Sequence, residues 1–557
     1  MHHLKPSLEV IGVDDRYVWS LPMKTQRPPQ TKLRSVWYVA LPISSAHRGG
    51  HSGGGALIDG VAGQDRYANE GTVYPHSALV EMITYQTLCF PDLAWRYMDL
   101  SHESPASISD ELRADPPDVV AMSVYTSTSL WAYIIAAQVK KANPNAVVVF
   151  GNDHASLLQH EILTGAYGRR LVDFVGTGNN GPFTLMGLFY MLQGQLDLER
   201  VPSVSYRGRG GIINQEAPSY PLNRRLLPDY RLIRPYLEEH YDKAFAVWYA
   251  EHYDLKRMVT VSIDAGCHWG EEPRRRCRHC SIQGLTPKVA SMDRVIPTLE
   301  AVVGELGANV YSAGDSSFGF SKSQWGGNFS FLDDLAEACA KSPVLHSRRF
   351  MLAYGLVHEF LKSADLCKGF VRTWNVGIEA FDPRLLKNNS KGINHGADAI
   401  FEAFELARSL DYRIYASGIL GLPGTTRESL RLEVEQWLAI AESYQDVLTT
   451  VSVAMPAIIP GSRMYWDTYQ NSPDARASHG ELIPCRKLTE HYIAENTEVT
   501  IQDVEAAIQD IGRGVIQLAQ NGANPVKFGG YMMGGKDDEE EHEREMLRES
   551  LAGLTDC

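Results

Sequence analysis

Three cysteines stand close together in the middle of the chain: Cys267, Cys277 and Cys280. They follow Val259–Ile263, a short apolar run of buried-strand type. The chain breaks at Gly266 and delivers three thiols within one loop. Three thiolates with no fourth cysteine nearby suit a [4Fe–4S] cluster with one iron left open for a ligand. The same loop also suits a Cys₃His zinc site using His268 or His279, or thiols without a metal. Glu271 and Glu272 lie between the first two cysteines. They read either as carboxylates that approach the open iron or as solvated surface charges.

A chain of 557 residues is too long for one ordinary core, so two or three domains must position this loop. Apolar residues at 44% and charged residues at 22% are those of a globular protein. The formal net charge of −14 argues against non-specific binding to nucleic acid or anionic lipid. No run of about 20 apolar residues occurs, so no membrane span is expected. The opening residues Met1 to Pro6 lack the apolar core of a secretion signal. Eight cysteines in so long a chain do not make a disulfide framework, so a reducing cytoplasm is expected.

Residues 1–34 read as an arm rich in Pro, Lys and Arg. Over 35–198, apolar strands near Val36–Leu41, Leu93–Met98, Val119–Val124, Ala146–Phe150 and Val172–Gly176 alternate with helices, the pattern of an open parallel sheet. Residues 199–254 read as a linker. A second alternating series over 255–465 has strands near Val259–Ile263, Asn309–Ser312, Phe350–Tyr354, Thr373–Ile378, Arg413–Ile419 and Leu448–Met455. Six such units predict a partial parallel barrel, with ligands at the C-terminal ends of its strands. The cysteine loop follows the first of them. Residues 466–557 are expected to be mostly helical and to cap the barrel, with Asp537–Glu541 as a solvated acidic segment. Within them, His491, Tyr492 and the run Phe528–Gly535 read as pocket-lining residues, the run equally as a flexible loop.

The middle domain resembles the radical S-adenosylmethionine (SAM) family in more than its cysteines. Tyr311-Ser-Ala-Gly314-Asp315-Ser316 stands where that family's second strand ends in the turn that meets the SAM amino group. Asn375-Val-Gly-Ile-Glu379, Leu386-Lys-Asn-Asn-Ser-Lys-Gly392, Gly418-Ile-Leu-Gly421-Leu-Pro423-Gly424 and Pro456-Ala-Ile-Ile-Pro460-Gly461 follow in the family's order. The cysteine spacing departs from the usual three-then-two, being nine then two. The resemblance implies that Cys267, Cys277 and Cys280 hold a [4Fe–4S] cluster. It implies SAM contacts at Gly314, Asp315, Ser316, Glu379, Gly421 and Pro423, with Glu379 alternatively a structural partner of Arg384 or Lys387.

The domain before it is similar to the cobalamin-binding domain of the B12-dependent radical SAM enzymes. Its landmarks are Met122-Ser123-Val-Tyr-Thr126-Ser127, Val149-Phe-Gly151-Asn152-Asp-His-Ala-Ser156 and Asp173-Phe-Val-Gly176-Thr-Gly178. By that resemblance Ser123, Thr126, Ser127, Gly151, Asn152, Gly176 and Gly178 line the corrin. Ser45-Ala-His47-Arg-Gly-Gly50 keeps the His and Gly of the Asp-X-His-X-X-Gly motif but lacks its Asp. His47 is therefore a candidate cobalt ligand without an evident second partner. His154 is read as ordering its own turn.

The implied architecture is α/β: a Rossmann-like B12-type sheet, then a partial (β/α)6 barrel, then a small helical region. The implied activity is transfer of a methyl group from SAM via methylcobalamin to a carbon or phosphorus of a small metabolite or peptide precursor. In layout the chain is similar to the tryptophan C-methylating branch of thiopeptide pathways; on that resemblance Tyr311 and Tyr354 read either as base or ring-orienting residues or as packing residues, and Glu271 and Glu272 as catalytic candidates in the cysteine loop. A flavodoxin- or ferredoxin-type electron donor is implied if the route is radical. A non-methylating B12 reaction such as ring contraction or cyclisation, and a radical SAM enzyme without B12, are the alternatives.

Overall fold

The computed structural model describes residues 31–42, 74–103, 105–218, 220–248, 254–265, 277–281, 288–312, 330–390, 396–521, 526–531, 537–552 and 554. The positions His47, Cys267, Glu271, Glu272, Gly314, Asp315 and Ser316 lie outside them.

Two seven-stranded sheets organise the chain. The first holds β1 (Ser35–Ala40), β2 (Ala94–Asp99), β3 (Val119–Ser123), β4 (Val147–Gly151), β5 (Phe174–Gly176), β6 (Val204–Gly208) and β7 (Gly211–Gln215). Its order is β2-β1-β3-β4-β5-β6-β7, parallel through β5. Strand β3 is buried over its whole length, as a strand covered on both faces must be. The hairpin β6–β7 adds to the edge antiparallel, so residues 204–215 extend this sheet rather than only connect. The helix Ser129–Ala142 after β3 is almost wholly buried. An order of 2-1-3-4-5 places the topological switch between β1 and β3, where ligands of such sheets collect.

The second sheet contains β8 (Arg257–Thr260), β11 (Ala308–Ser312), β12 (Met351–Leu356), β13 (Val371–Glu379), β14 (Arg413–Ile419), β15 (Leu448–Ala454) and β16 (Lys527–Tyr531). All neighbours are parallel. The short strands β9 (Asp264–Ala265) and β10 (Lys288–Val289) pair separately. Strand β14 alternates half-buried Arg413, Tyr415, Ser417 and Ile419 with buried Ile414, Ala416 and Gly418. Ile414 and Ala416 pack under the outer helices, and a buried Val, Leu or Ile stabilises by about 1.5–3 kcal/mol. Gly418 lets Trp437 lie against the strand, since a Cβ there would stand 2.3 Å from the indole. The alternate residues face inward.

The C-terminal region departs from expectation once. Residues 527–531 form β16, a seventh strand beside β15, with Phe528 buried, so the first half of the run 528–535 is strand and not flexible loop; residues 532–535 lie outside the described residues. Backbone pairing with the free edge of β15 decides this. Residues 537–551 form a helix packed on Ser129–Ala142, with Leu547 and Glu543 buried and Glu543 accepting from the Trp131 indole at 3.2 Å. The helix is docked by residues beyond the acidic run, and within the run Glu541 is exposed, as a solvated segment requires. Among the described residues no helix is long and apolar enough to cross a membrane.

Candidate functional site

Cys277 and Cys280 stand in one turn, the Cys280 N–H donating to the Cys277 carbonyl at 3.2 Å. Two neighbours hold it across the barrel rim. The Arg278 N–H donates to the carbonyl of Asn389, just after β13, at 3.0 Å. The Met464 N–H, after β15, donates to the Arg278 carbonyl at 2.9 Å. The Arg278 guanidinium also meets Asp467 at 2.6 Å. The turn thus sits at the C-terminal ends of the strands, where a parallel barrel carries its chemistry. Cys277 is buried and Cys280 half-buried. Asn389 Nδ2 donates to His279 Nδ1 at 2.8 Å, so that ring nitrogen is engaged by the amide. The paired thiols suit a cluster ligand set, with Cys267 outside the described residues.

Glu379 ends β13 at φ 65°, a left-handed conformation uncommon for a residue with a Cβ. The pairing with β14 shifts register there. Its carboxylate lies beside the inner face: a Cβ on Gly377 would meet the Tyr354 hydroxyl at 2.9 Å and Glu379 Oε1 at 3.0 Å. Arg384, the partner considered from the sequence, pairs with Asp382 instead at 2.7 Å. Behind this strand end, Glu433 Oε1 accepts from the Phe381 and Asp382 N–H groups at 2.8 and 3.1 Å. Burial pushes the Glu433 carboxyl up to about 7.

Gly421 and Gly424 adopt φ of 84° and 86°, which glycine alone takes without strain. The turn they frame is held by Asn388 Nδ2 to the Pro423 carbonyl at 2.9 Å and by Gly424 N–H to the Asn496 carbonyl at 2.8 Å. Val504 and Ile493 of the C-terminal helices cover Gly421. Arg278, Asp467, Thr468, Asn471, Tyr492, Glu495 and Asn496 line a cavity of about 390 Å³ beside the cysteine turn. Tyr492 lines a pocket as its sequence context implied, and His491 pairs with Glu495 at 3.0 Å.

On the first sheet, Ser123 is the polar hub of the rim. Its hydroxyl accepts from Asn152 Nδ2 at 2.8 Å and bonds His76 Nε2 at 2.8 Å. Burial lowers the His76 pKa to about 4, so the ring is neutral at pH 7. Among the described residues His76 Nδ1 is buried without a hydrogen-bond partner. Thr126 is spent internally, its hydroxyl bonding His154 Nδ1 at 3.1 Å. His154 is 1% exposed and its Nε2 meets the Glu481 carbonyl at 3.2 Å, so it orders the structure. Ser127, Gly151, Asn152, Gly176 and Gly178 remain partly open on the rim. Among the described residues no atom lies within 4 Å of a Cβ placed on Gly151 or Gly178.

The two rims meet through Tyr74-Pro75-His76. Tyr74 packs edge-on to Tyr311 of β11, ring centroids 5.5 Å apart. Burial pushes the Tyr311 hydroxyl up to about 12. Tyr74, His76, Asn375, Tyr415 and Asn389 were not singled out from sequence. Only Tyr415, in the strict alternation of β14, carried a readable signal.

A 2-1-3-4-5 parallel sheet followed by a parallel half-barrel is the fold of the cobalamin-dependent radical SAM enzymes. The structure is similar to that of the radical SAM methyltransferase TsrM from Kitasatospora setae with cobalamin and [4Fe–4S] cluster bound: TM-score 0.56, 13% identity, over 94% of this chain and 100% of that one. TsrM with tryptophan substrate and the SAM analogue aza-SAM gives TM-score 0.54 at 14% identity, over 78% and 76% of the two chains. The cobalamin-dependent radical SAM enzyme OxsB with aqua-cobalamin bound gives TM-score 0.52 at 14% identity over 84% of this chain. The match spans 59% of the OxsB chain. No family model matches the sequence, and no curated protein matches it.

Proposed function

We propose that the chain is a cobalamin-dependent radical SAM methyltransferase that moves a methyl group from SAM, by way of cobalamin, to a carbon or phosphorus of a small metabolite or peptide precursor. The observation that carries this reading is the meeting of two C-terminal strand rims at Tyr74–Tyr311, one with the Ser123 hub and one with the Cys277–Cys280 turn. Cys267, Cys277 and Cys280 would hold a cluster that would supply SAM binding and one-electron reduction, and bound cobalamin would supply methyl carriage.

The chain's own residues divide the remaining work. Gly314, Asp315, Ser316, Glu379, Gly421 and Pro423 orient SAM. Ser127, Gly151, Asn152, Gly176 and Gly178 carry the corrin, with Ser123 and Thr126 bracing the rim beneath. Tyr311, protonated at neutral pH, orients the acceptor, and Glu271 and Glu272 stand in the cluster loop. Indole of tryptophan is the first acceptor to try, since TsrM, similar in fold, is recorded with tryptophan. A flavodoxin- or ferredoxin-type donor serves the radical route, and a reducing cytoplasm suits the cluster.

The test is anaerobic reconstitution with iron, sulfide and hydroxocobalamin, followed by metal analysis. About four irons and one cobalt per chain are expected. Cys277→Ala should lose iron and keep cobalt. Iron without cobalt overturns the B12 part, and zinc alone overturns the whole.

A further inference from the structure

The cavity of about 390 Å³ beside the cysteine turn serves none of the roles assigned above. It lies where the helices Arg463–Asn471 and Cys485–Asn496 meet Arg278 of that turn. Thr468 and Tyr492 are its buried floor, and Asn471 and Glu495 are exposed at its mouth. Between them Arg278 Nη2 and Asp467 form an ion pair at 2.6 Å.

Two donors in this cavity are unspent. Tyr492 is 1% exposed, and among the described residues its hydroxyl has no hydrogen-bond partner. The buried Nε of Arg278 has none either. Neighbouring donors are already taken: the Thr468 hydroxyl donates to the Met464 carbonyl at 2.8 Å, and Asn496 Nδ2 donates to the Tyr492 carbonyl at 2.9 Å. Buried donors call for an acceptor, and a carboxylate is the group that accepts from a hydroxyl and a guanidinium together.

Charge around the cavity is balanced. Asp467 faces Arg463 at 3.7 Å as well as Arg278. Glu495 stands at the mouth, beside His491 Nε2 at 3.0 Å. Two guanidinium groups thus accompany two carboxylates. A free anion would meet the repulsion of Asp467 and Glu495, and a free cation that of the two arginines. A molecule bearing both charges finds a partner for each. The lining is polar throughout, so the rest of such a molecule must be polar too. Ligand pockets run from about 300 to about 1,000 Å³, and this one lies near the lower bound.

We propose that this cavity binds a small polar zwitterion of the amino-acid type, with its carboxylate on Tyr492 and Arg278 and its ammonium at Glu495. The site is separate from the residues assigned to SAM and to the corrin. The Arg278 backbone anchors the cysteine turn at Asn389 and at Met464, so an occupant held by the Arg278 side chain ties that turn to the helix Cys485–Asn496.

The full-length reconstituted protein, saturated with SAM, is titrated calorimetrically with L-glutamine, L-glutaminamide and N-acetyl-L-glutamine. Saturation with SAM keeps the probes from its own site. L-glutamine should fill one site. L-glutaminamide, which lacks the carboxylate, should bind about tenfold more weakly. N-acetyl-L-glutamine, which lacks the ammonium, should bind about threefold more weakly, because Glu495 is exposed to solvent. Tyr492→Phe should weaken L-glutamine by about tenfold. Glu495→Gln should weaken L-glutamine by about threefold and leave N-acetyl-L-glutamine unchanged. No binding of L-glutamine, equal binding of the three probes, or wild-type affinity in both variants overturns the proposal. Iron and cobalt are measured on the same samples. Any of those outcomes at full metal content leaves the cofactor reading standing. Failure of the wild type to take up the metals removes that reading, and the same titration of the protein as purified still decides the site.

Discussion

Asn389 holds the cysteine turn from two directions: its Nδ2 donates to His279 Nδ1 at 2.8 Å, and its carbonyl accepts the Arg278 N–H at 3.0 Å. Asn389 is fully buried and ends the short helix Pro383–Asn388. Asp382 starts that helix by accepting the Arg384 N–H at 2.8 Å. The helix after β13 thus positions a loop more than a hundred residues earlier in the chain.

Asn389→Ala removes the side-chain link and keeps the backbone one. The turn should lose one net hydrogen bond, about 1 kcal/mol. Reconstituted protein should retain less iron after gel filtration, with cobalt unchanged. Full iron retention would show that the backbone contacts at Asn389 and Met464 suffice.

Gly418→Ala should destabilise by about 1–3 kcal/mol, because the new methyl would stand 2.3 Å from the fully buried Trp437. Guanidinium unfolding of the variant should show a lower midpoint with an unchanged slope.

Glu433 makes stability depend on pH. Its carboxyl is raised from 4.5 to about 7 in the folded chain by burial. The folded state therefore holds a proton that the unfolded chain releases. Stability falls as pH rises from about 4.5 to about 7, and the loss is complete above that, about 3 kcal/mol in all. Glu433→Gln should flatten this slope in chemical denaturation at pH 5 and pH 8. An equal slope in the variant would place the titrating group elsewhere.

Leu547→Ala tests the docked C-terminal helix. Leu547 is 1% exposed, so truncation should cost about 2–4 kcal/mol where the helix meets Ser129–Ala142. Glu541→Gln, in the acidic run, loses only an exposed pairing with Arg548 and should change stability by less than about 0.5 kcal/mol. Thermal melts of the two variants separate docking from solvation.

Much of this protein was legible from residue order alone. Strand positions in both sheets were readable because Val-, Ile- and Ala-rich runs between helical stretches can bury only as parallel strands. The cysteine triplet and the Gly-Leu-Pro-Gly turn were readable because their chemistry depends on spacing within a few residues. Tertiary structure alone decided the rest. Lys527–Tyr531 looks like loop sequence, with two glycines, and becomes a strand only because β15 offers a free edge. The helix Asp537–Leu551 is polar in composition, yet a narrow stripe at Glu543 and Leu547 finds Trp131 some four hundred residues away. Tyr74 and His76 belong to no motif, and their importance arises from what the fold brings beside them, Tyr311 on one side and Ser123 on the other. Local patterns record which backbone conformation a segment prefers. Pairing between distant edges and rims depends on the closed fold, where desolvation gives those contacts their strength.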